Sequence, residues 1–181
     1  MCLTGGPCAG KTTALDLLAE KLEPQYKVYR VPELATISIM GGFSFIIKRS
    51  AFDIATYTVN FLANGQENFL NMQIAIEDYF INLAKLTKDR DCIVISDRGF
   101  MDSFAYVTPE ASDLLLEKTQ WNLHQIRDSR YDMVIHMVTA ANGAEKFYTL
   151  ENNKARTEGI PLAIELDNKI LNAWNGHPNH V

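Results

Sequence analysis

Residues 5–13, GGPCAGKTT, combine residue types at a spacing that suits phosphate binding. The stretch fits the pattern G-x-x-x-x-G-K-[ST], in which a glycine-rich loop directs its backbone N–H groups inward around a phosphate. Lys11 would bring a positive charge to the outer phosphates, and Thr12 would offer its hydroxyl to Mg²⁺. The alternative is a glycine-rich turn that only links a strand to a helix. The predicted nucleotide-binding residues are Gly5, Gly6, Pro7, Cys8, Ala9, Gly10, Lys11, Thr12 and Thr13.

Three charged residues stand where predicted strands end. Asp97 and Arg98 follow the apolar run CIVIS, and Glu33 follows YKVYRVP. Asp97 would hold Mg²⁺ directly or through water, unless it only caps the next helix. Arg98 would either stabilise transferred charge or pair with a neighbouring acid. Glu33 would act as a general base on an acceptor hydroxyl, or simply begin a helix.

Arg156 lies in a polar segment, residues 147–159, that lacks apolar periodicity. A segment of this kind between packed elements can close over a nucleotide and exclude water. Arg156 would then contact a phosphate and join Lys11, Glu33 and Arg98 as a candidate catalytic residue. The alternative is an exposed connection without a functional role.

Other polar residues have structural interpretations. Gln73 and Glu77 are four residues apart on one face of a predicted helix, where they would line an acceptor pocket or, as the favoured interpretation, a solvated face. Arg127 and Arg130 are also assigned to a solvated face. His136 lies among apolar residues of a predicted strand and is interpreted as a core histidine whose hydrogen bonds are satisfied.

Alternating strands and helices must bring the candidate residues together. The helix after Thr12 places Leu15, Leu18 and Leu22 on one face, and its N-terminus favours an anion at the glycine-rich loop. Strands are predicted within 26–33, 91–99 and 132–138, and further helices over 65–86 and 161–174. The residues predicted to form the buried faces of those two helices are Phe69, Met72, Ile76, Phe80, Leu83, Leu162, Leu166, Ile170 and Trp174.

This order of elements predicts an α/β fold, a doubly wound parallel sheet with helices on both faces. Ligands of such folds bind beyond the carboxyl ends of the strands. Glu33, Asp97 and the glycine-rich loop all follow strands directly. We therefore expect them to meet at one edge of the sheet.

Composition and charge limit the kinds of molecule that the chain is expected to bind. The chain has 181 residues, 47% of them hydrophobic, which suits one domain, and its net charge of −5 comes without a basic stripe for long nucleic acid. Cys2, Cys8 and Cys92 are too few and too scattered for a disulfide framework or a zinc cluster. No apolar run reaches the ~18 residues of a membrane span, and no signal peptide is evident. A cytoplasmic protein that binds a free nucleotide is expected.

Several motifs together resemble one family, the TRPL translocation defect proteins, a branch of P-loop proteins with AAA-type and nicotinamide-riboside-kinase-like relatives. The motifs are LTGGPCAGKTT, VPELAT, ISDRGFMD, RYDMVIHMVTAANGAEKFY and ARTEGIPLAIELDNKILNAWNGHP. The resemblance implies a P-loop fold like that of nucleoside and nucleotide kinases. It matches Asp97 and Arg98 to the acid–arginine pair after the third strand, Glu33 to the carboxylate after the second, and Arg156 to the lid arginine.

The resemblance also implies ligands and partners. It suggests binding of ATP or GTP, and the namesake of the family is associated with GTP and membrane traffic, hence with a protein or membrane-associated partner. It further leads us to expect a few more residues before Met1, and a fifth strand and a further domain after Val181. The sequence has no N-K-x-D element of the type that reads guanine in small GTPases, so the choice of base stays open.

Three functions are compatible with these residues. The favoured one is a Mg²⁺-dependent purine-nucleotide-binding domain of a regulatory or membrane-traffic protein. The second is a small-molecule kinase that transfers the γ-phosphoryl group of ATP or GTP to a nucleoside-like hydroxyl acceptor. The third is a structural subunit that keeps a bound nucleotide without hydrolysing it.

Overall fold

A computed structural model describes residues 1–42, 54–148 and 159–181 of the chain, and the side chains of 54–63 are not part of the description. Its sheet has four strands in the order β2-β3-β1-β4, and every pairing is parallel. The strands are β1 (Cys2–Thr4), β2 (Lys27–Val31), β3 (Cys92–Asp97) and β4 (Val134–His136).

The described residues also form six α-helices and two 3-10 helices. The α-helices are α1 (Lys11–Leu22), α2 (Leu34–Met40), α3 (Ile54–Leu86), α4 (Pro109–Thr119), α5 (Leu123–Arg130) and α6 (Ile160–Ala173). The 3-10 helices span Phe100–Tyr106 and Glu145–Phe147. Within this part of the chain, none of the helices has the length and apolar character that crossing a membrane requires.

The register of the parallel strands brings together, at one edge of the sheet, the strand ends that precede the candidate residues. Leu3 is paired with Asp97, and Thr4 is paired with His136. The chain therefore leaves β1 between the last residue of β3 and the last residue of β4. Val31 of β2 is paired with Ser96, so Glu33 lies beyond the same edge. The glycine-rich loop and both acids share the carboxyl edge of the sheet, as predicted.

Hydrophobic side chains are buried on both faces of the sheet. Leu3 packs with Leu15 and Ala19 of α1 on one face. Its neighbour Cys2 points the other way, as side chains alternate along a strand, and packs with residues from the helices that cover the second face. Those residues include Leu70, Phe100, Leu115, Ile170 and Trp174. This arrangement confirms the predicted doubly wound parallel sheet with helices on both faces.

The sheet continues past β4 through the last residues of the chain. Val134 and His180 form a parallel bridge, and His136 N donates to Val181 O at 2.7 Å. β4 itself is shorter than the predicted segment 132–138. After His136 the chain turns toward the glycine-rich loop, and Met137 N donates to Thr4 O at 2.9 Å.

Two helix faces differ from the predictions. Met72 of α3 is 48% exposed and Leu162 of α6 is 45% exposed, although both were predicted to be buried. α3 turns Leu70, Gln73 and Glu77 inward, and α6 buries Ala163, Leu166, Asp167 and Ile170. The inner face of each helix includes a buried acidic residue, Glu77 in α3 and Asp167 in α6. A prediction based on apolar residues alone therefore assigned the centre of the buried face incorrectly.

Candidate nucleotide site

The glycine-rich loop has the backbone that a phosphate-binding loop needs. Three of its residues have left-handed backbone angles: Gly5 with φ 131°, Cys8 with φ 55° and Gly10 with φ 77°. A Cβ atom on Gly5 would lie 2.0 Å from the carbonyl oxygen of Met137, so only glycine fits there. Gly10 is the N-cap of α1, which begins at Lys11. The unpaired amides at the start of α1 thus lie at the end of the loop, where they favour an anion.

Lys11 is folded back into this loop and is buried. Its Nζ donates to the carbonyl oxygens of Gly5 and Gly6, each at 3.0 Å. Burial lowers the pKa of Lys11 to about 7, and the nearby Arg98 guanidinium adds to this lowering, while Asp97 opposes it. The Lys11 amine therefore lies inside the predicted phosphate-binding loop. Its surroundings favour the neutral amine more than water does.

Arg98 lies against both Glu33 and the glycine-rich loop. Its Nε donates to Glu33 Oε1 at 2.7 Å, and its Nη1 donates to Gly5 O at 3.2 Å. Of the two roles considered for Arg98, pairing with a neighbouring acid is the one this geometry shows. Arg98 itself has a left-handed φ of 68°, and its backbone N–H donates to Leu3 O of β1 at 2.9 Å.

Glu33 is the N-cap residue of α2, but its side chain does not cap the helix amides. It accepts hydrogen bonds from Arg98 and from the Thr36 hydroxyl. Burial acts to raise the pKa of Glu33, but Arg98, Thr36 and Lys11 outweigh burial and lower it below its usual value. Glu33 is therefore an ionised carboxylate at the edge of the site.

Asp97 ends β3 and carries a buried oxygen, Oδ1, that has no hydrogen-bond partner among the described residues. Burial raises the pKa of Asp97, as does the negative charge of Glu33, while Lys11 and Arg98 act in the opposite direction. The helix-capping alternative is wrong, because Gly99 is the N-cap of the following 3-10 helix. An unpaired buried carboxylate oxygen is costly unless a ligand or cation satisfies it.

The residues present fit a magnesium ion that arrives with a nucleotide. Thr12 is exposed on the first turn of α1, next to the loop, and Asp97 offers an unsatisfied oxygen. In the described part of the chain, no cluster of three His, Cys, Asp or Glu side chains could hold a metal alone. Mg²⁺ prefers oxygen ligands and is commonly bound by one or two protein groups plus substrate phosphates.

Asp102 is a site residue that the sequence reasoning missed. It is buried, and its Oδ1 accepts hydrogen bonds from Thr4 Oγ1 at 2.6 Å and Trp174 Nε1 at 2.5 Å. Its Oδ2 lies 3.5 Å from Arg98 Nη1. Asp102 therefore lies beside the Arg98 guanidinium as a second acid, in addition to Glu33. Its position four residues after Arg98 in the chain is a signal that could have found it.

Gln73 and Glu77 are buried, each 3% exposed, so the favoured assignment to a solvated face is wrong. Glu77 Oε1 accepts from Gln73 Nε2 and from the Tyr131 hydroxyl, both at 2.8 Å. Glu77 Oε2 accepts from Arg130 at 3.0 Å. Both carboxylate oxygens are engaged by the protein itself, which indicates a structural network that joins α3 to the segment before β4.

The two arginines of α5 are likewise not on a solvated face. The Arg130 side chain is 19% exposed and pairs with Glu77 and Asp78. The Arg127 side chain is 13% exposed, pairs with Asp128 and donates to the carbonyl oxygen of Asn175. Arg130 ties α5 to α3 through Glu77 and Asp78, and Arg127 ties α5 to the segment after α6 through Asn175.

His136 lies at the end of β4 with a side chain that is 3% exposed, so it is a core histidine as predicted, but neither ring nitrogen has a hydrogen-bond partner among the described residues, so it is not the satisfied one expected. Its Nε2 is 3.2 Å from Asp167 Oδ1 of α6. The same Asp167 oxygen accepts a hydrogen bond from the backbone N–H of Gly6 at 2.6 Å. Asp167, which the sequence reasoning also missed, therefore contacts the glycine-rich loop directly. Arg156 lies outside the described residues, as do residues 149–158 of the predicted closing segment.

Comparison with known proteins identifies the family. The sequence model described as AAA domain matches residues 1–181. The chain belongs to the AAA domain family. Its membership and the loop geometry together identify this AAA domain as a P-loop nucleotide-binding domain, in agreement with the predicted fold class. No functionally curated protein matches the chain.

Solved structures similar to this AAA domain include deoxyadenosine kinase from M. mycoides with bound dATP. That likeness has a TM-score of 0.47 and 14% sequence identity, and covers 97% of this chain and 83% of the kinase chain. A second structure of the same kinase, with the products dCMP and a flexible dCDP, gives a TM-score of 0.44 and 13% identity over 99% of this chain and 88% of that chain.

Proposed function

We propose that this AAA domain binds the Mg²⁺ complex of a purine nucleoside triphosphate at residues 5–13. The observation that carries the proposal is the position of Lys11, whose ammonium lies inside the loop against the carbonyl oxygens of Gly5 and Gly6. An entering phosphate would replace those carbonyl contacts with charge-assisted ones. The loop amides and the N-terminus of α1 would contact the remaining phosphate oxygens.

Thr12 and Asp97 are the residues that would hold Mg²⁺, through a hydroxyl and a carboxylate. The metal, when bound, would neutralise part of the charge on the phosphates. Asp97 would gain a partner for the oxygen that the described protein leaves unpaired. Burial and the negative charge of Glu33 raise the pKa of Asp97, so a nearby cation would favour its ionised form.

The identity of the nucleotide base and the cellular role of the domain are proposed from the sequence resemblance and not from the geometry of the site. The resemblance to the TRPL translocation defect family is the basis for proposing ATP or GTP as the ligand. It is also the basis for placing the domain in a regulatory or membrane-traffic protein, where the nucleotide state would control a protein or membrane-associated partner. Under that proposal the domain would be cytoplasmic.

A second candidate function, phosphoryl transfer to a small hydroxyl acceptor, is favoured by the ionised Glu33 at the same edge of the sheet. The acceptor oxygen would bond to the γ-phosphorus as its proton passes to Glu33. The bond from the γ-phosphorus to the bridging oxygen would break, and a nucleoside diphosphate would leave. Arg98, already beside Glu33 and the loop, would stabilise the transferred charge, and Arg156 is proposed to add a further positive charge.

Calorimetric titration with ATP and GTP in the presence of Mg²⁺ tests the binding proposal. Lys11→Ala should weaken triphosphate binding by about 1.5–3 kcal/mol, the contribution of a hydrogen bond to a charged group. Lys21→Ala, in the last turn of the same helix and exposed, is the matched control and should bind as the wild type does. Unchanged affinity in a folded Lys11→Ala protein would overturn the assignment.

Product analysis separates phosphoryl transfer from binding alone. With nucleosides as acceptors, Glu33→Gln should keep triphosphate affinity and lose product formation by about 100-fold or more, because general base catalysis contributes that much. Thr36→Ala, which removes one hydrogen bond to Glu33 and leaves its charge, serves as the control. A wild-type protein that binds nucleotide and yields no phosphorylated nucleoside would exclude this second function for nucleoside acceptors.

A further inference from the structure

One carboxylate reaches the glycine-rich loop from the far end of the sequence. Asp167 lies on the buried face of α6 and is 6% exposed. Its Oδ1 accepts a hydrogen bond from the backbone N–H of Gly6 at 2.6 Å, across 161 positions of sequence. This contact lies on the side of the loop that faces α6 and β4, since His136 at the end of β4 touches the same oxygen.

The absence of a side chain at Gly6 is explained by the same contact. A Cβ atom on Gly6 would lie 2.7 Å from Asp167 Oδ1 and 2.8 Å from Asp167 Cβ. Gly6, unlike Gly5, does not have a left-handed φ, so its backbone angles do not require glycine. The carboxylate and the loop are therefore packed too closely for a side chain at Gly6.

Asp167 has the charge needed for a strong contact. Burial acts to raise the pKa of Asp167, but its contact with His136 and its bonds to the Gly6 and Thr139 backbone outweigh burial and lower the pKa. An ionised acceptor makes a stronger hydrogen bond to an amide than a neutral one does. The His136 imidazole nitrogen Nε2 lies 3.2 Å from the same Oδ1.

The same helix also contacts a second part of the site, at Asp102. Trp174, the C-cap residue of α6, donates from Nε1 to Asp102 Oδ1 at 2.5 Å, and Asp102 in turn lies 3.5 Å from Arg98. α6 is thus connected to the glycine-rich loop through Asp167, and to Arg98 through Trp174 and Asp102.

We infer that Asp167 is a positioning residue that fixes the first part of the phosphate loop, through the Gly6 amide, in the conformation that binds phosphate. This inference rests on the proposed nucleotide site. Asp167 does not touch the phosphates itself. Its carboxylate anchors the loop segment whose Gly5 and Gly6 carbonyls surround Lys11.

Binding of inorganic tripolyphosphate provides the test, because this probe engages the loop without a base or sugar. We expect Asp167→Ala to bind it about tenfold more weakly than the wild type, since a charge-assisted bond that orders the loop is lost. Asp167→Asn should recover most of the affinity, because its amide oxygen can accept the same hydrogen bond. Glu165→Gln, on the exposed side of α6, is the matched control and should bind normally.

The outcomes separate this inference from the proposed function. If the wild type binds tripolyphosphate and folded Asp167→Ala binds it equally well, even with a lower melting temperature, Asp167 is only structural and the inference is overturned. If Asp167→Ala does not fold, Gly6→Ala replaces it and should show the same weakened binding, and unchanged binding overturns the inference. A wild type that binds neither tripolyphosphate nor Mg²⁺ with ATP or GTP overturns the proposed function together with the inference.

Discussion

At the scale of single residues, Lys11 gives the site a proton-linked response. Its pKa in the folded protein is about 7, against an ordinary value of 10.5, so the ammonium is partly deprotonated at neutral pH. Phosphates would favour the charged form and raise this pKa again. Nucleotide binding should therefore take up a proton, and affinity should fall as the pH rises above 7.

The proton uptake is measurable by calorimetry at pH 7.5 in two buffers with different ionisation enthalpies. We expect an uptake on the order of half a proton per nucleotide for the wild type. Lys11→Ala should abolish it. An equal uptake in both proteins would show that another group carries the proton.

The same pKa affects the stability of the protein without ligand. Between about pH 7 and 10.5 the unfolded chain binds more protons at Lys11 than the folded chain does. The contribution of Lys11 to the free energy of unfolding should therefore rise with pH across that window. In Lys11→Met, denaturant unfolding at several pH values should show a smaller rise.

Asp97 is the second residue with a testable role at this scale, because its buried Oδ1 has no partner among the described residues. Asp97→Asn should keep nucleotide binding through the loop amides and lose most of the Mg²⁺-dependent part of the affinity. Lys11→Ala should weaken binding both with Mg²⁺ and with a chelator. If the ratio of the affinities measured with Mg²⁺ and with chelator is the same in wild type and Asp97→Asn, Asp97 is not a metal residue.

At the scale of elements, Glu77 fixes the long helix α3 to the segment before β4. It accepts hydrogen bonds from Gln73, Tyr131 and Arg130 while its side chain is only 4% exposed. Glu77→Ala should lower the free energy of unfolding by about 3–5 kcal/mol, because the buried Gln73 amide and Tyr131 hydroxyl lose their acceptor and Arg130 loses the buried one of its two acids. Urea unfolding measures this.

Asp78→Ala is the control for Glu77→Ala, since Asp78 pairs with the same Arg130 from a side chain that is 51% exposed. An exposed ion pair contributes little, so this change should cost about 1 kcal/mol or less. Equal losses in the two variants would show that the Glu77 network does not stabilise the fold.

The helices also show which parts of the structure can be predicted from sequence. α1 follows from local patterns, because the spacing of Gly10, Lys11 and Leu15 fixes its start and its buried face. Glu77 and Asp167 could not be assigned by counting apolar residues, although each lies on a buried face. Glu77 lies four residues after Gln73, and Asp167 lies four residues after Ala163 and three before Ile170, and these helical spacings are the signal that a buried acid was present.

At the scale of the whole molecule, the parallel strand register explains why the meeting of the loop, Glu33 and Asp97 at one edge of the sheet could be predicted. The long-range contacts that hold the site residues in place could not be predicted in this way. The loop, Glu33 and Asp97 follow three strands whose ends meet at one edge, which the order of elements implies. The contacts of Asp102 with Thr4 and of Asp167 with Gly6 span 98 and 161 positions. No local pattern determines such pairs, because they depend on how α6 and the 3-10 helix pack against the sheet.

The thermal unfolding of the whole domain tests the central claim, that a triphosphate binds at residues 5–13, most directly. Mg²⁺ with ATP or GTP at about 100 times the dissociation constant should add ~2.7 kcal/mol to the free energy of unfolding. For a chain of this size that raises the melting temperature by roughly 5–10 °C. Binding of a triphosphate at residues 5–13 predicts this rise for wild type and Lys21→Ala and a much smaller one for Lys11→Ala at the same concentration. No rise with either nucleotide, or an equal rise in Lys11→Ala, would contradict it.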